Sequence, residues 1–245
     1  MCKEEYITKN IQTLRDKVFF DGSEMKEHLF VNVIDNGRTL NAETLNTDNI
    51  KIYPNMNVGG AGGFTRGMIE SLEMERKPTH VLLMDDDVLL MEESLFRTYF
   101  LLRILRPEYE EYFLSGAMFD YDHRQIQYED IGYVHPEDGS YGPLKDRMDM
   151  CKLENLLRNE EMASRTKNES YAGWWYCCIP MPLIEKNGLP LPVFVRGDDV
   201  EFSIRNKAKF LTLNGISIWH VGFAGKFNAA MELYQVHRNS LIIQA

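Results

Sequence analysis

Basic charge is in short supply: 27 lysines and arginines face 37 aspartates and glutamates, a formal net charge of −10. That balance argues against nonspecific nucleic-acid binding, which needs a positive face. It leaves a phosphorylated ligand open, because a bound cation can offset local repulsion. Long apolar runs are missing too; none approaches the roughly 20 residues that span a bilayer. Acidic residues follow Met1 almost at once, which is not the pattern of a secretory leader. Cysteine is rare: Cys2, Cys151, Cys177 and Cys178. No C-x-x-C pair occurs, so neither a zinc site nor a disulfide framework is expected, and the expected compartment is the reduced cytoplasm. The sequence has no repeats and no low-complexity segment. The remainder is ordinary: 245 residues, 44% apolar and 26% charged, enough for one large α/β domain or two small ones.

Apolar periodicity divides the chain into alternating elements. Ile7, Ile11, Leu14 and Val18 form one stripe of a helix over 4–18. Leu29 to Ile34 reads as a buried strand running into Asp35-Asn36-Gly37, and Ile50 to Tyr53 as a second strand. A glycine-rich loop from Asn57 to Gly63 then precedes a helix that turns Phe64, Met68, Ile69 and Leu72 inward. Val81 to Met84 is a strand ending at Asp85-Asp86-Asp87, and a helix from about 92 to 105 stops before Pro107. Tyr112 to Met118 reads as strand, and 120–170 as long loops with one short helix near 150–160. Tyr171 to Ile179 reads as strand, and Leu189 to Val195 as extended, since Pro190 and Pro192 forbid helix. Helices over 199–208 and 229–243 flank a strand over 210–219. The alternation predicts an α/β fold with a mostly parallel sheet and helices on both faces. In such sheets ligands bind beyond the carboxyl ends of strands, where Asp35, the glycine loop and Asp85 to Asp87 all fall.

The acidic triplet carries the sharpest signal. Three packed carboxylates are costly unless a cation screens them. On an extended backbone Asp85 and Asp87 point the same way, two oxygen ligands that suit Mn2+ or Mg2+; a solvated acidic turn is the bland alternative. The glycine loop allows close backbone approach ahead of a helix N-terminus, a place for an anion. It matches neither a Walker loop nor a G-x-G-x-x-G fingerprint. Arg66 on the following turn is either a phosphate or base contact or a surface arginine. Of Asp198-Asp199, the first reads as a helix cap and the second as a general base facing the crevice. Trp174-Trp175, neighbours on a strand, point to opposite faces; one packs inward while the other offers a flat face to a sugar ring, unless both are core. His220 at the end of the last strand can complete the metal site through its imidazole.

Taken in order, Asn57-x-Gly59-Gly60-x-Gly62-Gly63-Phe64-x-Arg66, Asp85-Asp86-Asp87, Gly173-Trp174-Trp175, the run Gly188 to Asp199 and Trp219-His220 resemble the family 2 glycosyltransferases, in particular the bacterial galactofuranosyltransferase branch. The resemblance spans about residues 3 to 240. It implies a GT-A fold, an inverting mechanism and a UDP-sugar donor, with UDP-galactofuranose favoured. By motif position Asp85, Asp87 and His220 would hold the metal, and Asp199 would be the base. Trp174, Trp175 and Asp198 would shape the sugar site, and Asp35, Asn57, Gly59, Gly60, Arg66 and Asp86 the nucleotide site. The implied acceptor is a glycan or lipid-linked glycan of cell wall or capsule biosynthesis. Peripheral contact with the inner membrane face and homo-oligomer formation are compatible with it.

Against the family pattern, the first strand, ahead of the helix at 4–18 and between the Asp35 and Asp85 strands, is missing. The chain also stops where the branch continues into further helices, although Tyr234-x-x-His237-Arg238-Asn239 resembles their start. Val221-Gly222-Phe223 after the Trp-His pair changes the aromatic surroundings. The expected organisation is one domain over 1–245, shortened at both ends, with a nucleotide-binding half (1–118) and an acceptor and catalytic half (119–245). Rival readings are a sugar nucleotidyltransferase and an inactive nucleotide-binding fragment.

Overall fold

The computed structural model describes residues 3–163, 169–221 and 228–244; Cys2, Gly222 and Phe223, singled out above, lie outside them. The apolar stripe at the start folds as α1 (Lys3–Lys17), which buries Ile11 and Leu14, with Val18 buried just beyond its end. There follow β1 (Val31–Asp35), α2 (Ala42–Leu45) with Asn41 capping its first turn, and β2 (Ile50–Pro54). Then come α3 (Gly59–Leu72), β3 (His80–Leu83), β4 (Val88–Leu90) and α4 (Glu92–Ile104), which ends before Pro107 as expected.

The strand expected at 112–118 breaks at Gly116 into β5 (Phe113–Ser115) and β6 (Ala117–Asp120). The stretch expected to be loop carries four short strands, β7 (Ile126–Glu129), β8 (Gly132–Val134), β9 (Tyr141–Pro143) and β10 (Met148–Asp149), before α5 (Leu153–Ala163). Strands this short show too few alternations to register as a period. The strand expected at 171–179 is split by a turn at Trp174-Trp175 into β11 (Ser170–Tyr171) and β12 (Cys177–Pro180), followed by α6 (Met181–Asn187). Residues 189–195 form no strand. They lead into α7 (Asp198–Arg205), β13 (Phe210–Leu211), β14 (Ser217–His220) and, after a π-turn at Met231–Gln235, α8 (Val236–Gln244).

The α/β class holds, but the pairing is mixed. Among the described residues β1–β2, β5–β13 and β6–β14 are parallel, and the other seven ladders are antiparallel. The strands run in the orders β13-β5-β12-β3, β10-β7-β6-β14-β4, β11-β8-β9 and β1-β2. The antiparallel share comes from β4, β12 and the short strands of the 120–150 region; of these, β7 follows β6 and β9 follows β8 with no crossover helix between. β12 and β14 thus sit among strands of the first half. Among the described residues β1 pairs only with β2, and β3 only with β12. A seam lies where the family's first strand was expected, spanned on one face by α3, which packs on both β1 and β3.

Two apolar clusters hold the layers. One joins Ile11, Leu14 and Val18 to Val33, Ile50, Ile52, Val88, Leu90 and Trp175; the other joins Met68, Val81 and Leu83 to Trp174, Ile179, Phe202 and Phe210. Each such side chain, fully buried, stabilises by about 1.5–3 kcal/mol.

Candidate active site

The acidic turn is built by strands of two different sheets. β3 delivers Asp85, Asp86 and Asp87 at its carboxyl end, and β4 begins immediately afterwards. β4 pairs with β14, with Val88 opposite His220, so the register sets the imidazole beside Asp87. His220 Nε2 lies 3.1 Å from Asp87 Oδ1 and 3.6 Å from Asp85 Oδ2. Its Nδ1 lies 2.6 Å from the Val221 carbonyl. A carbonyl only accepts, so Nδ1 carries a proton and Nε2 is the nitrogen left for the carboxylates or a metal. Burial pushes the His220 pKa down, but hydrogen bonds to Asp85 and Asp87 outweigh it and raise it to about 9. A proton held there offsets two crowded carboxylates, as a divalent cation would.

One ligand atom from each of Asp85, Asp87 and His220 falls within 4.8 Å of the others. Two hard oxygens and one imidazole nitrogen fit Mn2+ or Mg2+ better than a thiophilic metal. Asp86 is exposed and does not join the cluster. Asn10, which sequence reasoning passed over, steadies the turn: buried on α1, it donates to the Val88 carbonyl at 2.8 Å and accepts from the Leu90 N–H at 3.2 Å. Its only sequence signal is an asparagine beside an apolar stripe.

The second acid pair opens α7. Gly197, at φ 84°, takes the cap position, so Asp198 is not the expected cap. Asp198 instead accepts from N–H groups of its own first turn, and burial, with Asp85 adding, raises its pKa to about 6. Asp199 Oδ1 accepts from the Val200 N–H at 2.8 Å. Asp199 as a whole is half-buried. Burial, then repulsion from Asp198, push its carboxyl well above the usual range, with Glu129 and Asp85 contributing. The acids of α7 and of the Asp85–Asp87 turn therefore lie within electrostatic reach of one another.

Glu129, at the end of β7, carried no motif. Its Oε2 is buried without a hydrogen-bond partner, and burial, then Asp130 and Asp146, raise it to about 7. It also raises Tyr171, whose ring meets Tyr141 edge-on at 5.8 Å. Both tyrosines feel the charge of Asp199, which sets this group near it.

The residues expected at the nucleotide site are placed differently from the expectation. The glycines are the first turn of α3 and not a loop ahead of it. The Gly59 N–H goes to Asn57 Oδ1 at 3.3 Å and the Ala61 N–H to the Phe194 carbonyl at 3.2 Å. Gly59 has φ 80°, and a Cβ there would overlap that same carbonyl. Asn57 and Gly59 thus serve a backbone contact between two loops; Gly60, with nothing within 4 Å of its would-be Cβ, is the glycine that faces open space. Arg66 pairs with Glu70 at 2.5 Å and lies 6.0 Å from the Tyr53 ring. Asp35 is buried and closes its own turn, Oδ1 accepting from Gly37 at 3.1 Å and Oδ2 from Leu40 at 2.8 Å.

The tryptophan expectation also changes. Trp174 and Trp175 occupy a turn and point into different clusters, at 3% and 7% exposure, so neither offers an open face. Trp175 donates to the Gly116 carbonyl at 3.0 Å. Trp174 packs edge-on against Phe64, with centroids 5.1 Å apart, and its buried Nε1 has no partner.

No family model matches the chain. Two curated relatives do. Galactofuranosyltransferase GlfT2 of Mycobacterium tuberculosis is 29% identical over 214 residues, 80% of this chain and 32% of the relative. GlfT2 of Mycolicibacterium smegmatis is 27% identical over 208 residues, 81% of this chain and 32% of the relative. The chain thus spans about a third of their length. Among solved structures, S. aureus TarS in complex with UDP superposes with a TM-score of 0.55 at 15% identity, covering 98% of this chain and 62% of the other. GalNAc-T7 with UDP, GalNAc and Mn2+ gives 0.55 at 13% identity, covering 92% and 43%. The chain has the GT-A glycosyltransferase fold, and in sequence it is similar to the galactofuranosyltransferases.

Proposed function

We propose that this chain is an inverting glycosyltransferase domain that moves a sugar, galactofuranose in the favoured case, from a UDP-sugar to a carbohydrate hydroxyl. The observation that carries the reading is convergence. His220 stands 3.1 Å from Asp87 and 3.6 Å from Asp85, and the Asp198-Asp199 pair feels the charge of Asp85. UDP in the TarS complex and UDP with Mn2+ in GalNAc-T7 support a UDP-sugar and a divalent cation as ligands of this fold. Held by Asp85, Asp87 and His220, the cation would offset the negative charge gathering on the departing diphosphate.

Asp199 supplies the base. The Val200 N–H holds its Oδ1, which leaves Oδ2 to take the acceptor hydroxyl proton as that oxygen attacks the anomeric carbon. A raised proton affinity makes the ionised form a stronger base. Asp198 anchors the first turn of α7, and Tyr141 and Tyr171 stand within electrostatic reach of Asp199. The acceptor is a glycan or lipid-linked glycan.

Asp199→Asn is expected to cut turnover by about 10²–10⁴-fold while leaving UDP affinity in Mn2+ unchanged; full turnover in that variant removes Asp199 from the role. Calorimetric UDP affinity indifferent to EDTA removes the cation. Release of UDP, not pyrophosphate, separates this reaction from nucleotidyl transfer, and a screen of UDP- and dTDP-sugars names the donor.

A further inference from the structure

The segment from Val193 to Gly197, which delivers Asp198 and Asp199 to the crevice, has a backbone that does not stand by itself. Phe194, Arg196 and Gly197 have φ of 73°, 64° and 84°, and only the last is a glycine. The Val195 N–H turns back onto the Val193 carbonyl at 3.0 Å, closing a tight γ-turn around Phe194. Such turns at positive φ are strained and persist only where the surroundings hold them.

Two elements hold this one. On one side the Phe194 carbonyl accepts from the Ala61 N–H in the first turn of α3. On the other stands α8. Asn239, buried completely, donates its side-chain amide to the carbonyls of Val195 at 2.6 Å, Arg196 at 2.7 Å and Val193 at 3.2 Å. Arg238 donates to the Val193 carbonyl at 2.7 Å and to Asn239 Oδ1 at 2.8 Å, which fixes the amide so that its N–H groups face the loop. α8 approaches closely enough that a Cβ at Gly197 would lie 2.8 Å from Ile243 Cδ1.

We propose that Asn239, oriented by Arg238, is a positioning residue for the reaction: it clamps the left-handed turn at Val193 to Gly197 and thereby holds Asp199 toward the cation turn. The inference rests on the reading of Asp199 as the base. It assigns α8, which carries the Arg238-Asn239 pair noted in the sequence, a part in the chemistry without contact to substrate. It also links the base mechanically to the first turn of α3, because the clamped loop is the one that receives the Ala61 N–H.

The test uses the whole chain with Asn239→Asp, which keeps side-chain size and the oxygen that Arg238 grips but removes the donated N–H groups. Amide exchange over 194–200 should rise at least tenfold while α1 and β3 stay protected. Turnover should fall at least thirtyfold with UDP affinity in Mn2+ within twofold of the parent. Arg238→Met, a milder change, should move exchange and turnover the same way by a smaller factor, and Leu241→Ala, whose side chain is exposed, should move neither. Unchanged exchange over 194–200 in Asn239→Asp overturns the clamp, as does a joint loss of turnover and UDP affinity. Should Asn239→Asp fail to fold, Arg238→Met decides alone, and no movement in either readout sinks the proposal. Exchange needs no turnover, so an inactive parent chain would sink the role of Asp199 and leave the clamp readable.

Discussion

Glu129 is buried with one oxygen unpartnered, so ionising it is costly. Its pKa of about 7 stands above the ordinary 4.5. The folded state therefore holds a proton that the unfolded chain releases between those two pH values. The resulting stability is fully present below pH 4.5, declines as pH rises, and is gone above about 7, a change of about 3 kcal/mol at most. Glu129→Gln should melt higher than the parent at pH 8 and match it near pH 4.5; equal melting at both pH values places Glu129 in water. The same burial acts on Asp199. With its carboxyl pushed well above the usual range by burial and by Asp198, the acid limb of kcat/KM should lie clearly above the ordinary value of about 4, and a limb near that value would assign the base elsewhere. Asp85, Asp87 and His220 were legible because each follows a clean apolar strand whose end fixes its direction. Glu129 and Asn10 were not, since their roles depend on burial by residues distant in sequence. Trp174 and Trp175 misled because a turn, not a strand, carries them, and a turn can bury two neighbours on different sides.

At the scale of elements, α3 shows what one carbonyl can demand. Gly59 combines φ 80° with a Cβ position overlapping the Phe194 carbonyl, whereas Gly60 has nothing within 4 Å. Gly59→Ala should lower stability by about 2–4 kcal/mol in urea melts, from strain plus displacement of the loop. Gly60→Ala should stay within about 1 kcal/mol of the parent. Equal effects would mean that the two loops do not touch. The sequence shows five glycines in nine positions from Gly59 to Gly67, but not which of them meets protein and which meets open space. That distinction depends on a loop more than a hundred residues later. Elements of ten or more residues were legible by their period, α1 and α4 within a residue or two. β7 to β10 and the split of 171–179 were hidden, because strands of two to four residues take their place from pairing and not from local pattern.

Across the whole molecule the formal charge of −10 sets the conditions under which an anionic nucleotide can bind. In EDTA, UDP meets an unscreened acidic surface, and its affinity should improve as salt rises from about 20 to about 200 mM, as the Debye length shrinks. With Mn2+ present that trend should flatten or reverse, since attraction to the cation is itself screened. Affinity falling with salt in EDTA would place a basic group at the phosphates. Among the described residues no helix is long and apolar enough to cross a membrane.

The seam between β1 and β3 has a consequence for how this architecture moves. The Val31 N–H bonds to the Asn49 carbonyl and the Asn55 N–H to the Asp35 carbonyl, so alternation turns the peptide groups of Asn32 and Ile34 toward the seam. The Met181 N–H bonds to the Thr79 carbonyl, which turns those of His80 and Leu82 toward it from the other bank. A ribbon of two strands is marginal by itself. Among the described residues no strand ladder crosses the divide; the Asp35 bank is held by apolar packing and by a few side-chain bonds, such as Arg15 to the Leu45 carbonyl at 2.6 Å and Asn32 to Ser71 Oγ at 3.5 Å, and these can shift where a ladder would have to break. The β1–β2 ribbon is therefore a raft on the body of the fold, which can tilt a little against the Asp85–Asp87 turn without breaking any strand pairing.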